Sequence, residues 1–354
     1  MKILNRQPSC AMKSAQWKAM VRKMTKFYQQ QGRSADVAMY SRVVLSRNFK
    51  DMPFMNRMDA QDAAQLFSRV EQALAAGGYS FVKYDFTVLP ATARGALAEE
   101  GLAPQSLVSG NLPRGVFASE DESLAVIVGD EDHIKIQAQC AGADMGACLK
   151  AAQEIDALLD NAFGYAYNER YGYLTASPVN LGCALRAGIT MHLPAIAGTS
   201  GIRALSAASA RMGLELSGQY GDGSCVWQLS NAKSFAIAEN ELCARIESAA
   251  EKIMERERTL RRTLAQESRE YLENRVYRAL GILGNARVIS AREAAALLSD
   301  ARLGAGIVPD VQAEKLDEIF RFIGPCAVSQ SDVGEEKVKT EVKRAAGIRR
   351  ALCG

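Results

Sequence analysis

The sequence predicts an α+β fold: an antiparallel β-sheet packed against helices, followed by a helical C-terminal domain. Several segments rich in β-branched and aromatic residues are joined by short turns, and short connections favour antiparallel neighbours. Other segments carry apolar residues at helical spacing, which supplies helices to cover a sheet. From about Glu239 the strand signals end, and one apolar stripe continues through a densely charged stretch that predicts a long solvated helix.

Each element rests on its own local pattern. Alternation or a run of strand formers predicts strands at 79–86, 116–118, 124–128, 133–139, 171–176, 214–219 and 226–230. Apolar residues recurring every three or four positions predict helices at 13–31, 59–76, 144–163, 181–192, 202–212, from about 239 to 262, 269–280, 290–298, 311–323 and 335–352.

Composition excludes several classes of function. The 354 residues are 48% hydrophobic with a mean hydropathy of −0.10, enough for a sizeable core, and the net charge of +3 is too small to predict a nucleic-acid groove. No apolar run approaches the ~20 residues that a membrane-spanning helix needs, and the N-terminus lacks a secretory signal, so a cytoplasmic protein without a membrane partner is expected. The eight cysteines form no Cys-x-x-Cys pair, so reduced thiols and no metal site are expected, and both histidines, His133 and His192, are predicted to be structural.

The stretch 171–194 combines strand formers, a Ser-Pro interruption and an Asn/Gly turn. It predicts a strand, a turn and a helix whose first turns hold Arg186. Backbone N–H groups at a helix start, together with a guanidinium, attract anions. The residues alone leave two interpretations open: a phosphate site, or a surface helix with a solvated arginine.

A second cluster lies in 123–137, where three consecutive acids beginning at Asp130 separate two predicted strands and are followed by His133 and Lys135. By composition this is a solvated hairpin turn. The functional alternative is that a carboxylate, Glu131, orients a substrate nitrogen while the lysine holds phosphate.

Several segments resemble the phosphagen (guanidino) kinases, in particular the bacterial protein-arginine kinases. The 171–194 stretch is similar to the family's signature segment, and Gly-Asp-Glu-Asp-His-Ile-Lys-Ile around Glu131 is similar to Glu-Glu-Asp-His-x-Arg-Ile. Ser-Arg-Val-Val-Leu-Ser-Arg-Asn at 41–48 and Ser-Gly-Gln-Tyr-Gly-Asp-Gly-Ser at 217–224 resemble Ser-Arg-Val-Arg-x-x-Arg-Asn and Arg-Gly-x-Tyr-Gly-Glu-Gly-Ser. Together they cover about 37–258, and a fainter likeness continues to the end.

The resemblance implies an N-terminal helical segment over 1–36, a catalytic domain over 37–258 and a helical C-terminal domain over 259–354. It implies ATP-dependent phosphoryl transfer to arginine residues in proteins, with ATP and Mg²⁺ as cofactors and a homodimer as one option. A protein acceptor is expected because the chain enters the catalytic match by about residue 40, which leaves little room for the N-terminal domain of the free-arginine kinases. The implied catalytic carboxylates are Glu131 and Asp222, and the implied nucleotide contacts are Ser41, Arg42, Val43, Lys135, Arg186, Ala187, Gly188, Ile189, Ser217, Gly218, Gln219, Tyr220 and Gly221.

The chain departs from the family pattern at charged positions. Val44 and Ser217 stand where nucleotide arginines are expected, Lys135 replaces another, and Ser106 falls where a histidine is usual. Losing bidentate donors weakens phosphate binding, so the alternative is a catalytically impaired member that acts as a nucleotide-binding or adaptor protein. Near the C-terminus, Arg344 matches one arginine of a phosphoarginine-binding motif, and a terminal helix with solvated charges is the alternative there.

Overall fold

The computed structural model describes residues 26–309, 311–330 and 339–353. Most of the predicted helix at 13–31 and the first residues of the one predicted at 335–352 lie outside these ranges. The described end of the first segment forms a single 3-10 turn, Phe27–Gln29.

Eight strands form one sheet in which every neighbouring pair is antiparallel, with the order β2-β3-β4-β5-β1-β8-β10-β9. A separate two-stranded ribbon is formed by β6 and β7. The strands are β1 Ala38–Arg47, β2 Val82–Asp85, β3 Gly115–Ala118, β4 Leu124–Val128, β5 Ile134–Ala141, β6 Tyr167–Asn168, β7 Gly172–Tyr173, β8 Leu185–His192, β9 Leu214–Gln219 and β10 Val226–Asn231. The predicted α+β class with an antiparallel sheet is confirmed.

The described residues form twelve α-helices, five of them in the C-terminal region. They are α1 Ala60–Ala76, α2 Ala91–Glu99, α3 Gln105–Val108, α4 Met145–Phe163, α5 Pro194–Gly198, α6 Gly201–Arg211, α7 Glu239–Glu267, α8 Arg269–Asn285, α9 Ala291–Arg302, α10 Ala313–Phe322, α11 Pro325–Gln330 and α12 Thr340–Cys353. Within the described ranges, no helix is both long and apolar enough to span a membrane.

The two faces of the sheet differ because strand residues alternate. On one face, Val43, Leu45 and Ile189 are fully buried in the main core, where α4 and α7 pack on the strands. Helix α4 begins at this face because the Asp144 carboxylate accepts a hydrogen bond from the N–H of Ala147. The main core therefore lies on this face of the sheet, and the alternate residues of β1, β8, β9 and β10 point to the second face.

That second face is covered only in part. Over β3 and β4 it is apolar, and it packs with residues of α2 and α3 such as Leu97 and Leu107. The C-terminal helices build a separate core that includes Met39 and Val226 at one end of the strands. The second-face residues of β5, β1 and β8 lie between these two groups of helices.

The predicted helix at 181–192 is wrong, because β8 occupies Leu185–His192 as a central strand between β1 and β10. All but Arg186 of its eight residues are buried, and a strand covered on both faces loses the alternation that distinguishes it from a helix. Arg186 therefore projects from a strand and not from a helix start. The predicted strand at 171–176 shrinks to the two residues of β7.

The charged helix predicted from about 239 is present as α7, but two of its charges are not solvated. Glu257 is fully buried, accepts hydrogen bonds from the N–H groups of Ala195 and Ile196, and pairs with Arg261 at 2.8 Å. Helix α7 passes without a break through the expected domain boundary at 258.

Arg344 is buried in the C-terminal core. Its guanidinium donates to the carbonyl oxygens of Ile323 at 2.6 Å and Ile289 at 3.0 Å. In this conformation its donors join two loops of the fold, and the charge is not solvated as the terminal-helix alternative supposed.

Candidate active site

Three of the predicted phosphate-binding cations share the second face of the sheet. The register pairs Ser46 with Lys135 and Val44 with Arg186. Arg42 lies on the same strand, two residues before Val44 and four before Ser46. Because side chains two residues apart point to the same side, all three cations project together. Strand spacings of about 4.8 Å and rises of about 3.3 Å place their Cα atoms within roughly 15 Å of one another. We call Arg42, Lys135 and Arg186 the cationic face.

Two of the positions where an arginine was expected fall on this same face. Val44 lies between Gln137 of β5 and Arg186 of β8, so an apolar side chain sits in the middle of the cationic face. Ser217 lies further along, opposite Gln228. Gly188, a predicted nucleotide contact that has no side chain, also lies on this face and pairs with Arg42.

Four other predicted nucleotide contacts point to the opposite side. Ser41, Val43, Ala187 and Ile189 are buried on the core face. The Ser41 hydroxyl donates to the carbonyl of Gly142 at 2.9 Å and accepts from an N–H of the α4 cap at 3.0 Å. Their side chains face the core and not the cationic face.

The three side chains of the cationic face differ in the acidic partners that they contact. Arg186 donates to Glu215 at 2.9 Å, with both side chains about half exposed. Among the described residues, no side chain or backbone group forms a hydrogen bond or ion pair with the Arg42 guanidinium. Lys135 is mostly buried and its ammonium lies 2.6 Å from the Asp130 carboxylate and 3.8 Å from Glu131.

A cavity of about 890 Å³ opens beside the loop that carries Glu131. The Glu131 side chain, which is 46% exposed, lies in its wall. The other walls come from the segment before α1, from α3 and the stretch after it, and from the stretch before β8. They include Phe54, Asn56, Arg57, Ser106, Asn111, Arg114, Asp130 and Thr175. The cavity brings a carboxylate, polar groups and an aromatic ring together next to the cationic face.

The loop carrying Glu131 is fixed by its neighbours. Asp132 is fully buried and accepts from the Asn48 amide at 2.7 Å and from the N–H of Ala176 at 2.8 Å. Asn48 in turn accepts from the N–H of His133 at 2.9 Å. These bonds join the end of β1, the acidic loop and the cavity wall at Ala176. Reasoning from the sequence did not single out Asn48 or Asp132, whose roles depend on contacts between distant segments.

His133 has the structural role that the sequence predicts. Its Nδ1 accepts from the N–H of Phe49 at 2.9 Å, so Nε2 carries the proton and donates to the Pro53 carbonyl at 2.7 Å. Burial is the main cause that lowers the pKa of His133. A neutral imidazole with both nitrogens occupied holds the segment before α1 in the cavity wall.

The two predicted catalytic carboxylates do not meet. Glu131 precedes β5, beside the end of β1 near Arg47, whereas Asp222 lies in the β9–β10 turn at the other end of the strands. The offset is on the order of 30 Å, from about 3.3 Å per residue along the ten-residue β1.

The short β9–β10 turn explains why Asp222 stays at that end. Only Tyr220 to Cys225 join the two strands, and Tyr220 packs against Phe320 of α10 with ring centroids 5.3 Å apart. The Asp222 side chain is 88% exposed. Of the neighbouring predicted contacts, Gly218 and Gln219 end β9 and Gly221 begins the turn, where its positive φ of 80° suits glycine. The structure brings none of these to the cavity.

Two family models match the chain. The one described as the ATP:guanido phosphotransferase C-terminal catalytic domain matches residues 62–260, and the one described as the protein-arginine kinase McsB C-terminal domain matches residues 269–353.

Curated relatives named protein-arginine kinase match nearly the whole chain. The relative from Bacillus pumilus is 34% identical over 340 residues, 93% of both chains. The relative from Symbiobacterium thermophilum is 35% identical over 350 residues, 95% of this chain and 99% of its own. The relative from Bacillus subtilis is 32% identical over 340 residues, again 93% of both.

Solved structures share the fold at low identity. Lombricine kinase superposes with a TM-score of 0.55 at 19% identity, covering 72% of each chain. The substrate-free duplicated taurocyamine kinase from Schistosoma mansoni gives a TM-score of 0.56 at 20% identity, covering 66% of this chain and 36% of that one. This chain thus spans about a third of the duplicated protein.

Proposed function

We propose that this chain, which belongs to the ATP:guanido phosphotransferase family, transfers the γ-phosphoryl group of ATP to the guanidino group of arginine residues in proteins. The observation that carries the proposal is the position of Lys135. Its ammonium lies 3.8 Å from Glu131, where the cationic face meets the cavity. Phosphate bound by the cations and a guanidinium held by Glu131 would meet at this point.

The chemistry assigned to the site is a direct displacement. A guanidino nitrogen attacks the γ-phosphorus, an N–P bond forms, the P–O bond to ADP breaks, and the nitrogen loses a proton. Glu131 orients the guanidinium and accepts that proton, while Arg42, Lys135 and Arg186 neutralise phosphate charge. The protein's contribution is alignment and electrostatic stabilisation, which the register of β5, β1 and β8 provides.

Mg²⁺ belongs to the proposal as the ion that accompanies ATP. Magnesium prefers oxygen ligands and is commonly held by one or two carboxylates together with substrate phosphates. Both oxygens of Asp130 are taken, by Lys135 and Ser106. Asp132 Oδ2 is buried with no hydrogen-bond partner, so this oxygen is the one in the acidic loop that would be free to hold the ion, and Glu131 is left to the guanidinium. When bound, the ion would neutralise charge on the phosphates.

The acceptor is proposed to be a protein side chain, as the names of the curated relatives state for those proteins. The cavity is open at the surface, with the exposed Arg57 in its wall, which suits a side chain presented by a polypeptide. A cytoplasmic location, where ATP is available, is part of the same proposal.

A transfer assay tests this function. The purified chain is incubated with ATP labelled at the γ-phosphate, Mg²⁺ and an arginine-rich unfolded protein, with free arginine offered in a parallel reaction. Acid-labile label on the protein is expected, and the free amino acid should remain unlabelled. Label on free arginine alone would overturn the protein acceptor. No label in either reaction would leave the adaptor alternative.

A further inference from the structure

The hydrogen-bonded cluster around Lys135 unites three positions that depart from the family pattern. Aligning Glu131 with the second glutamate of Glu-Glu-Asp-His-x-Arg-Ile puts Asp130 at the first glutamate and Lys135 at the arginine. Ser106, at the usual histidine position, donates its hydroxyl to Asp130 Oδ1 at 2.6 Å. Lys135 donates to Asp130 Oδ2, also at 2.6 Å. The three replacements are therefore in contact with one another, although Ser106 lies 24 residues before Asp130 in the chain.

These contacts compensate for the flexibility of the lysine side chain. An arginine presents a planar fork that is already organised for phosphate, whereas a lysine is a point charge on a flexible stem. Here the Asp130 side chain is only 3% exposed and the Lys135 side chain 16%. A buried carboxylate with both oxygens engaged is rigid, so the ammonium that it holds is rigid too.

The position of Asp130 is itself set by the surrounding backbone. Ser106 lies on α3, whose last carbonyls accept hydrogen bonds from the Arg114 guanidinium, Leu107 O at 2.6 Å and Val108 O at 3.4 Å. Arg114 is 4% exposed. The short helix that carries Ser106 is thereby anchored beside the loop carrying Asp130.

We propose that Asp130 is a positioning residue which, together with Ser106, fixes the Lys135 ammonium between the cationic face and Glu131. The shorter acid, the serine and the lysine act as one unit that replaces the family's arginine. This inference rests on the proposed function, because it assigns the cluster to ATP binding at the same site.

The sharpest consequence concerns pairs of variants. In Lys135→Met the Asp130 carboxylate loses its cation and leaves a negative charge facing the phosphates. Removing that charge as well, in Asp130→Asn with Lys135→Met, should bring ATP binding back toward the wild type by several-fold. A purely structural role would instead make the two losses add.

The experiment measures the Kd of Mg-ATP by calorimetry and the KM for ATP in the transfer assay. Asp130→Asn should weaken ATP binding by about tenfold, less than the hundredfold or more that follows loss of a whole preorganised donor, with a smaller effect on kcat. Ser106→Ala, at an exposed position that does not endanger folding, should shift the KM in the same direction by a few-fold. Asp62→Asn, on helix α1 that packs in the main core, is the matched control and should change neither value.

The proposal is overturned if Asp130→Asn binds ATP as the wild type and Asp62→Asn do, or if the paired losses add. Calorimetry separates this from failure of the proposed function. A wild type that binds ATP but labels no protein would refute the transfer reaction, while the coupling between Asp130 and Lys135 would still be measured. If Asp130→Asn lowers the melting temperature, the Ser106→Ala result decides: an unchanged Kd there also overturns the proposal.

Discussion

Arg186 and Glu215 form an ion pair that spans strand β10, with Nη2 and Oε2 2.9 Å apart. Arg186 projects from β8 and Glu215 from β9, on the same face of the sheet. One of the three cations proposed to bind phosphate is thus paired with an acid, and ATP would have to compete with that acid.

Glu215→Gln should therefore tighten ATP binding. Both side chains are about half exposed, and exposed ion pairs contribute about 0.2–1 kcal/mol, so a decrease in the Kd of about 1.4- to fivefold is expected by calorimetry. Glu241→Gln, which breaks an exposed pair with Arg245 on α7, should leave the Kd unchanged. Weaker ATP binding in Glu215→Gln would instead mean that the acid orients Arg186 for phosphate.

Val44→Arg should strengthen ATP binding and raise transfer. Val44 is half buried between Gln137 and Arg186, so a guanidinium there would face the same phosphates as Arg186. One added preorganised donor should give about a tenfold gain in kcat/KM, measured in the transfer assay. Val44→Lys adds the charge without the fork and should give a smaller gain. Equal or lower activity in Val44→Arg would show that this part of the face does not contact phosphate.

Stability should fall below neutral pH because of His192. Its Nε2 donates to Ser299 of α9 at 2.8 Å, and Nδ1 accepts from Arg261. Complete burial, followed by nearby arginines, holds its pKa well below the ordinary value of 6.5. The unfolded chain therefore binds a proton that the folded chain does not. The contribution is complete above about pH 6.5 and is lost as the pH falls, by up to about 1.4 kcal/mol per pH unit.

Melting temperatures between pH 7.5 and pH 5 test this, with His192→Gln as the comparison. The wild type should lose more stability than the variant across this range, because glutamine does not titrate. Parallel curves for the two proteins would contradict the assignment.

Local patterns predicted several elements closely. Helix α4 and strand β4 lie at or within one residue of their predicted bounds, because apolar spacing and the Asp144 cap are readable in the sequence. Strand β8 was predicted as a helix because seven of its eight residues are buried and no alternation remains. Strand β1 carried the 41–48 match, but its alternation of buried Val43 and Leu45 was not used to predict a strand.

In the candidate site, too, some contacts can be predicted from the sequence and others cannot. Glu131 and Lys135 are four residues apart, so their proximity follows from the sequence. The pairs Arg186 with Glu215 and Ser106 with Asp130 depend on strand order and on how α3 packs, which one sequence does not reveal. The family resemblance implied Asp222 as a catalytic carboxylate together with Glu131, but the length of the β9–β10 turn keeps it at the other end of the sheet.

Glu131→Gln tests the central claim most directly, because Glu131 is the carboxylate assigned to the guanidinium and is exposed in the cavity. The substitution keeps the shape and removes the charge, so transfer to protein arginine should fall by about a hundredfold or more. The Kd of Mg-ATP should stay within about threefold of wild type, since the cations are intact. Glu154→Gln, at an exposed position on α4, is the control. Transfer at the wild-type rate in Glu131→Gln would contradict the account.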